Sequence, residues 1–510
     1  MVESTRFYLA NEYPAQALAN ELSNHFLVLA EQSTREFLTF YDTFDWRLVN
    51  AALLLYRAGD TLFLGRLPDH EPLTDQPINT QPKFVWDFPD GVLKANVEPI
   101  LEMRALIKLT EVDVNTTIFR ILNEDEKTVV RLTYQSFETP HRAAAEPLTQ
   151  LCLKPVRGYG KDGRLVAKLL EKIGLEPIQE SLFLKILASG SRAPGDYSTK
   201  LNFKLEPDMR ADEATRIFLR SLLQTIRLNE AGIKADIDTE FLHDFRVAVR
   251  RTRSALSQIK GVFPEAPTLR FRQDFAYIGR FTNELRDLDV YLLAEHGYKA
   301  MLPDHLKSGI DPLIAYLKQK RSAALKTVVK ELTSQKYADI LHDWEAFLNE
   351  PGAESATAAN GATRIVDLAR SRIYKRYKRI VKRGQQILEN MEDDQLHALR
   401  IECKKLRYLL EFFQSLFPAT EISASIKQLK MLQTNLGDFN DLCVQEDYLG
   451  HIVEELPLAD SEGKQLFLAI GYLINRLHQE QERVKAEFAQ TFTGFTTPAN
   501  KKLFRTLFAS

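Results

Sequence analysis

The chain has 510 residues, 45% of them hydrophobic and 27% charged, with a net charge of −2. Those values fit a folded globular protein of two or three domains and exclude a disordered or collagen-like chain. They also exclude a uniformly basic surface, so any affinity for polyanions must be local.

Three cysteines, Cys152, Cys403 and Cys443, form no CxxC pair. A disulfide framework and a structural zinc site are not expected, and a reducing compartment fits. The opening MVESTRFYLANEYP has no basic stretch followed by an apolar core, and no run approaches ~18 uncharged apolar residues. A cytoplasmic protein without a membrane span is expected.

In chain order, AQALANELSNHFLVLA (15–30) has helical periodicity. Strand-like runs follow: REFLTFYDT, AALLLYRAGDTLFLGRL, IFRILNEDEKTVVRLTYQSF and PLTQLCLKPV, with turn signals at Ala58-Gly59-Asp60 and Asn123-Glu124-Asp125. RGYGKDGR (157–164) lacks the GxxxxGK[ST] pattern of a phosphate loop and reads as a basic turn before the helix RLVAKLLEKIGL (164–175). Residues 189–198, SGSRAPGDYS, have linker composition.

From about 208 the strand pattern stops and long apolar-periodic segments take over. A small-residue linker, EPGAESATAANGAT (350–363), is followed by a second helical series to about 492. The second series copies the first. LHDFRVAVRRTR at 242 aligns with LHALRIECKKLR at 396, an offset of 154 that also places Phe263-Pro264 on Phe417-Pro418 and Asp287-Leu288 on Asp441-Leu442.

His243, Arg246, Arg250 and Arg253 lie at i, i+3, i+7 and i+10, one face of a helix. His397, Arg400, Lys404 and Arg407 repeat them, and Arg251 matches Lys405. A second stripe, Arg372, Arg376, Arg379 and Arg383, precedes the second copy, widened by Lys375, Lys378 and Lys382. Its expected counterpart is Arg216, Arg220 and Arg227, with Leu223 in the remaining place and an offset of 156. A solvated helix face usually alternates acids with bases, yet Arg364 to Arg383 holds nine cations and one acid, Asp367. Cations aligned in this way repel each other unless an anion lies between them, and phosphate oxygens are the natural acceptors. A ten-residue stripe is roughly 15 Å long, so an extended, multiply charged ligand is expected. The two histidines are expected either to hydrogen-bond that anion or act as a pH-sensitive group there, or to serve as a structural cap. Asp287 and Asp441 orient basic side chains or cap a helix.

HDFRVAVRRTR, RDLDV, HALRIECKKLR and LGDFNDL, in this order, resemble the CHAD family, the conserved histidine α-helical domain, over about residues 208–495. The resemblance implies a two-repeat helical bundle that binds inorganic polyphosphate in a basic central channel and associates with polyphosphate granules. The residues expected to bind polyphosphate are Arg216, Arg220, Arg227, His243, Arg246, Arg250, Arg251, Arg253, Arg286, Arg372, Arg376, Arg379, Arg383, His397, Arg400, Lys404, Lys405 and Arg407. FYDTFDWRL (40–48) and ALLLYRAGDTLFL look like the Y-D-T segment of a CYTH, or triphosphate tunnel, domain. That resemblance implies an antiparallel β-barrel. The family's metal-binding E-x-E-x-K strand would fall on STRFYLA, which has no acid pair and no lysine. Arg57, Arg66, Arg104, Lys108, Arg120 and Arg131 remain as phosphate-binding candidates, and Glu98 and Glu102 as acids at a spacing unlike the family's.

An α+β chain is therefore expected, with a degenerate CYTH-like domain at 1–190 and CHAD repeats at 208–350 and 364–495. The leading reading is a polyphosphate-binding protein with no catalytic residues, cofactor or metal, and no membrane or nucleic-acid partner. The alternatives are a CYTH-type metal-dependent triphosphatase or polyphosphatase anchored by its helical half, and single-stranded nucleic-acid binding through Tyr374 and Tyr377.

Overall fold

The computed structural model describes residues 5–9, 14–67, 72–138, 148–177, 182–188, 192–199, 201, 203–349, 358–456 and 461–509. The chain divides into two units, Met1–Ser198 and Thr199–Ser510. The first is built on an antiparallel sheet and the second is helical, so the chain is α+β. Among the described residues no helix is long and apolar enough to cross a membrane.

The sheet unit contains β1 (Thr5–Leu9), β2 (Leu27–Ala30), β3 (Thr34–Asp42), β4 (Leu53–Ala58), β5 (Thr61–Arg66), β6 (Pro72–Pro77), β7 (Ile107–Leu122), β8 (Thr128–Glu138), β9 (Leu148–Pro155) and β10 (Glu176–Pro177). Its helices are α1 (Ala15–Ser23), α2 (Arg47–Asn50), α3 (Val92–Leu101), α4 (Gly160–Lys172) and α5 (Leu182–Ala188). Strand order is β10-β1-β9-β8-β7-β3-β4-β5-β6, with β2 also on β7. The branch exists because β7 has 16 residues: Ile107–Thr116 pair with β3 and Phe119–Leu122 with β2. Among the described residues no pairing joins β6 to β10. Leu18 and Leu22 of α1 and Val166 and Leu170 of α4 cover Phe119, Val130 and Leu132 on one part of the sheet. Leu93 and Val97 of α3 cover Leu55, Leu62 and Leu64 on another.

Two expectations change here. The helix expected over 15–30 stops at Ser23, and Leu27–Ala30 joins the sheet, because the run Leu27-Val28-Leu29 satisfies its backbone on β7. The expected linker 189–198 is held where it is described: Trp46 Nε1 donates to Asp196 Oδ1 at 2.8 Å, and Arg192 stacks over Phe44 at 4.1 Å.

The Y-D-T segment is a buried corner. Asp42 is 1% exposed and accepts from the backbone N–H groups of Thr43, Leu48 and Val49 at 2.7, 2.9 and 2.9 Å. It thereby satisfies donors that the first turn of α2 leaves open. Burial pushes its carboxyl up to about 6 against those three bonds.

The helical unit contains α6 (Ala211–Lys234), α7 (Thr239–Gln258), α8 (Glu265–Phe281), α9 (Asn283–Leu293), α10 (Glu295–Met301), α11 (Asp311–Leu332) and α12 (Gln335–Asn349). These are followed by α13 (Ile365–Glu389), α14 (Asp393–Phe413), α15 (Ala419–Glu455), α16 (Ser461–Ala486), α17 (Phe488–Phe495) and α18 (Pro498–Phe508). The sequence reading missed α12 and ended before α18, whose Phe504 stacks on Tyr377 at 4.1 Å.

The repeat is physical. Arg210 bridges Arg364 at the starts of α6 and α13, and Ala211 N–H donates to Thr363 O while Ile365 N–H donates to Met209 O, both at 2.9 Å. Residues 154 apart thus meet across an approximate two-fold relation. Phe218 of α6 stacks on Phe412 of α14 at 4.7 Å, joining the halves through their core. At an offset of 154 every buried α13 residue except Gly384 falls on a buried α6 residue. The offset of 156 expected for this pair of helices is therefore wrong. Arg216, Arg220 and Arg227 are not equivalent to Arg372, Arg376 and Arg383; in the true register they match Arg370, Tyr374 and Val381. A three- or four-residue spacing of arginines recurs readily on any basic helix, whereas the buried stripe can occupy one register only.

Asp42→Ala would strand three backbone donors, at a cost of about 1–3 kcal/mol for a buried unsatisfied group. Hydrogen exchange over residues 41–50 is expected to accelerate, with peptides of the helical unit unchanged.

Candidate functional site

The motif helices α7 and α14, together with α8, line a groove of about 1040 Å³. Arg250, Arg253, Arg272, Arg280, Arg400, Lys404 and Lys405 reach it, with His397 and Tyr408, and no carboxylate is among its lining residues. Arg250, Arg253, Arg272, Arg280 and Lys404 make no hydrogen bond or salt bridge to any described residue. These five form the uncompensated part of the site.

Electrostatics record the crowding. The Arg253 guanidinium is held below its usual range by burial and then by Arg280, Arg272 and Arg250. Burial, Arg400 and Arg250 lower the Lys404 ammonium to about 8, with Asp441 opposing and Arg407 adding to the depression. Arg250 belongs to the first repeat and Lys404 to the second, so their mutual repulsion crosses between the repeats. Gly279 permits one close approach: a Cβ there would stand 3.3 Å from an Arg253 Nη atom.

The remaining expected residues are used inside the fold. Arg246 donates to Gly279 O at 3.1 Å, Thr282 Oγ1 at 2.8 Å and Asn283 Oδ1 at 2.9 Å. These groups lie where α8 breaks before α9, so Arg246 fills the polar gap at that break. Burial, with Arg250 adding, lowers it to about 10. Arg216 is buried, lies over Phe263 and Phe347, and donates to Phe347 O. Arg220 reaches Leu348 O and Asn349, and Arg227 makes a bidentate pair with Glu345 at 2.9 and 2.7 Å. All three bind the last turns of α12, where helix carbonyls lack intrahelical donors.

The α13 stripe converges on Glu402, which is 2% exposed. Arg376 pairs with it directly, Arg379 lies at 3.4 Å and Arg383 at 4.0 Å, and Lys405 approaches from the groove side at 3.2 Å. Burial raises the Glu402 carboxyl, but Arg376 and Lys405 outweigh it and hold the group below its usual range. Arg372 instead donates to Lys260 O at 3.0 Å. Glu411 accepts from Arg251 at 2.9 Å and from Arg407 at 2.6 Å, tying α7 to α14.

The histidines differ. Arg286 donates to His243 Nδ1 at 2.9 Å, and since a guanidinium cannot accept, that nitrogen carries a lone pair. His397 Nδ1 meets Asn440 Oδ1 at 2.5 Å, so here Nδ1 carries the proton. Asn440 is itself oriented by a hydrogen bond that its Nδ2 donates to Asp441 Oδ1 at 3.3 Å. Arg286 and Asn440 are 154 apart, so one repeat-related substitution reverses the histidine tautomer. His397 lines the groove and His243 is not among the lining residues. Asp441 accepts from Arg400 at 3.0 Å, the orienting role expected of that aspartate.

The structure thus brings together Arg250, Arg253, His397, Arg400, Lys404 and Lys405. It adds Arg272 and Arg280, which the sequence reading missed. These two lie eight residues apart on α8 and match Ile426 and Thr434 in the second repeat. A search for repeated features passes over them.

In the sheet unit, Arg104 is buried beside Asp45 at 3.5 Å, Lys108 pairs with Glu111 at 2.9 Å and Arg120 with Glu31 at 3.1 Å. Arg57 donates to Gly59 O at 2.7 Å, and Glu102 is taken by Arg47 at 2.8 Å. β1 is TRFYL, without a carboxylate. These residues do not fit a magnesium site of the triphosphate-tunnel kind, which needs clustered oxygen ligands.

Comparisons with known proteins agree with the helical architecture. The CHAD domain from the plant Ricinus communis superposes with a TM-score of 0.50 at 26% identity, covering 58% of this chain and 97% of that one. An uncharacterized protein of Mycobacterium tuberculosis is 23% identical over 308 residues, which is 60% of this chain and 56% of that protein. The chain therefore spans about half the length of the curated relatives it matches. A Hippeastrum protein whose structure is described as revealing a dominant triphosphatase activity overlaps 38% of this chain and 99% of its own. At 15% identity and a TM-score of 0.28, that superposition is too loose to carry a functional argument. The CHAD domain family model matches residues 217–450, the stretch that holds both motif helices and the whole lining of the groove: this part of the chain is a CHAD domain.

Proposed function

We propose that the groove binds an extended inorganic polyanion, with inorganic polyphosphate as the ligand, and that the chain acts by binding and not by chemistry. The observation that carries this reading is the set of five cations without partners facing a groove that no carboxylate lines. Neighbouring cations are taken up within the fold by Glu402, Glu411 and the α12 carbonyls. Those left over are stabilised only by an anion brought from outside, through charge-assisted hydrogen bonds. A groove of this volume accommodates several phosphate units. Association with polyphosphate granules would follow from such binding.

A triphosphatase reading gains little from the sheet unit, where β1 carries no carboxylate and Glu102, Lys108 and Arg120 are paired with Arg47, Glu111 and Glu31. Nucleic-acid binding through stacked tyrosines loses Tyr377, which is buried against Phe504.

The test is a titration of the purified protein with labelled long-chain polyphosphate at fixed salt, with single-stranded RNA as competitor. Tight binding that RNA does not displace is expected, and displacement by RNA at equal phosphate concentration would overturn the choice of ligand. Arg253→Ala combined with Arg280→Ala is expected to weaken binding about a hundredfold, roughly 3 kcal/mol. It is also expected to shallow the salt dependence. The melting temperature should hold or rise, because two self-repelling charges are removed. Arg227→Ala, on α6, removes the pair with Glu345 of α12; it should leave binding unchanged and cost under about 1 kcal/mol of stability.

Binding should depend on pH through Lys404. Its ammonium titrates near 8 in the empty groove and is favoured by a bound anion, so binding takes up a proton above that pH. Affinity is expected to fall between pH 7 and 9, and Lys404→Arg should flatten the profile because arginine stays charged.

A further inference from the structure

Lys404 is the one lysine among the groove's five unpartnered cations. On its own helix it stands one turn from both Arg400 and Tyr408, beside Lys405 and three residues from Arg407. Arg250 faces it from α7, and Asp441 of α15 acts on it with opposite sign while bonded to Arg400. Arg253 on α7 and Arg272 and Arg280 on α8 line the same groove, as does His397 on α14. This is how an amine becomes a nucleophile in water: partial burial and neighbouring cations favour its neutral form. The same cations concentrate small anions beside it.

We propose that Lys404 is a site of covalent acylation by acyl phosphates, small anionic electrophiles that the groove captures by their phosphate. This rests on the anion-binding reading of the groove. The arginines hold the phosphate, and the neutral Nζ attacks the carbonyl carbon. The C–N bond forms as the bond from the carbonyl carbon to the phosphate oxygen breaks. The electron pair leaves on inorganic phosphate, and the proton on nitrogen passes to solvent. Nothing is oxidised or reduced. The product amide is neutral and bulkier than the ammonium, so acylation removes one of the five free charges and narrows the groove. Metabolic acyl phosphate would thereby tune the affinity of the groove for its polyanion.

The depressed Lys404 ammonium supports the reactivity. A group titrating near 8 is about one-quarter neutral at pH 7.5, against roughly one part in a thousand for an ordinary lysine. Lower intrinsic nucleophilicity returns part of that gain, leaving on the order of a tenfold rate advantage.

The experiment treats the full chain with acetyl phosphate at pH 7.5 and follows each lysine by peptide mass spectrometry. The exposed Lys375 and Lys382 of α13 serve as internal references. A neutral acylating reagent, N-acetoxysuccinimide, runs in parallel. Lys404 is expected to acquire acetyl about tenfold faster than the references from acetyl phosphate. Its rate should level off above pH 8, while theirs keep rising. Inorganic tripolyphosphate should suppress it, and its advantage should shrink with the neutral reagent. Acetylation of Lys404 no faster than that of Lys375 and Lys382 would overturn the proposal, as would an advantage that tripolyphosphate leaves intact. A polyphosphate titration on the same preparation separates the two readings. Tight binding with slow Lys404 acetylation removes only this inference, whereas loss of both removes the anion groove as well.

Discussion

The constraint on which the helical unit depends is the disposal of its positive charge. A chain of net charge −2 gathers seven cations around one groove with no carboxylate in the lining. Like charges at helical spacing oppose one another, and the cost grows as water is excluded. The fold meets this by sorting its cations. Glu402 collects the α13 stripe from beneath, Glu411 joins Arg251 to Arg407, and the C-terminal carbonyls of α12 absorb Arg216 and Arg220. Five cations without a hydrogen bond or salt bridge among the described residues lie together on the walls of one concavity.

The sorting is asymmetric, although the architecture is not. Glu402 and Glu411 correspond at 154 residues' distance to Ala248 and Ser257, so the first motif helix lacks both acids. Its Arg250 and Arg253 stay free, while Lys405 and Arg407 in the second helix are partly or fully engaged. The helix after each motif diverges as well. In the first half it breaks into α8 and α9 and carries Arg272 and Arg280; in the second it continues unbroken as α15. Arg246 is spent on that break, and its repeat partner Arg400 lines the groove with Asp441 behind it. Duplication has supplied two copies of a cationic helix. Divergence has turned parts of each copy to structural use and left one continuous site.

The sheet unit follows a different logic. Several of its charged groups are paired with one another, and its most buried acid, Asp42, caps a helix. The Y-D-T segment is therefore legible as a corner of the fold, independently of any chemistry at that place.

The sequence by itself determined the division into a strand-rich and a helical part, the duplication at 154 residues and the cationic face of each motif helix. Apolar periodicity and repeated charge spacing are local properties, and a helix of known pitch converts them directly into faces. It did not determine which cations are free. Arg216, Arg376 and Arg253 look alike along the chain, and what separates them is a carbonyl on α12, a buried carboxylate on α14 and nothing at all. Nor could spacing distinguish an offset of 156 from 154 for the first stripe, since arginines at three- and four-residue intervals fit both. Only the tertiary structure decided these points, because the free energy of a charge depends on what lies within a few ångströms of it in space, and those neighbours come from helices far apart in the chain.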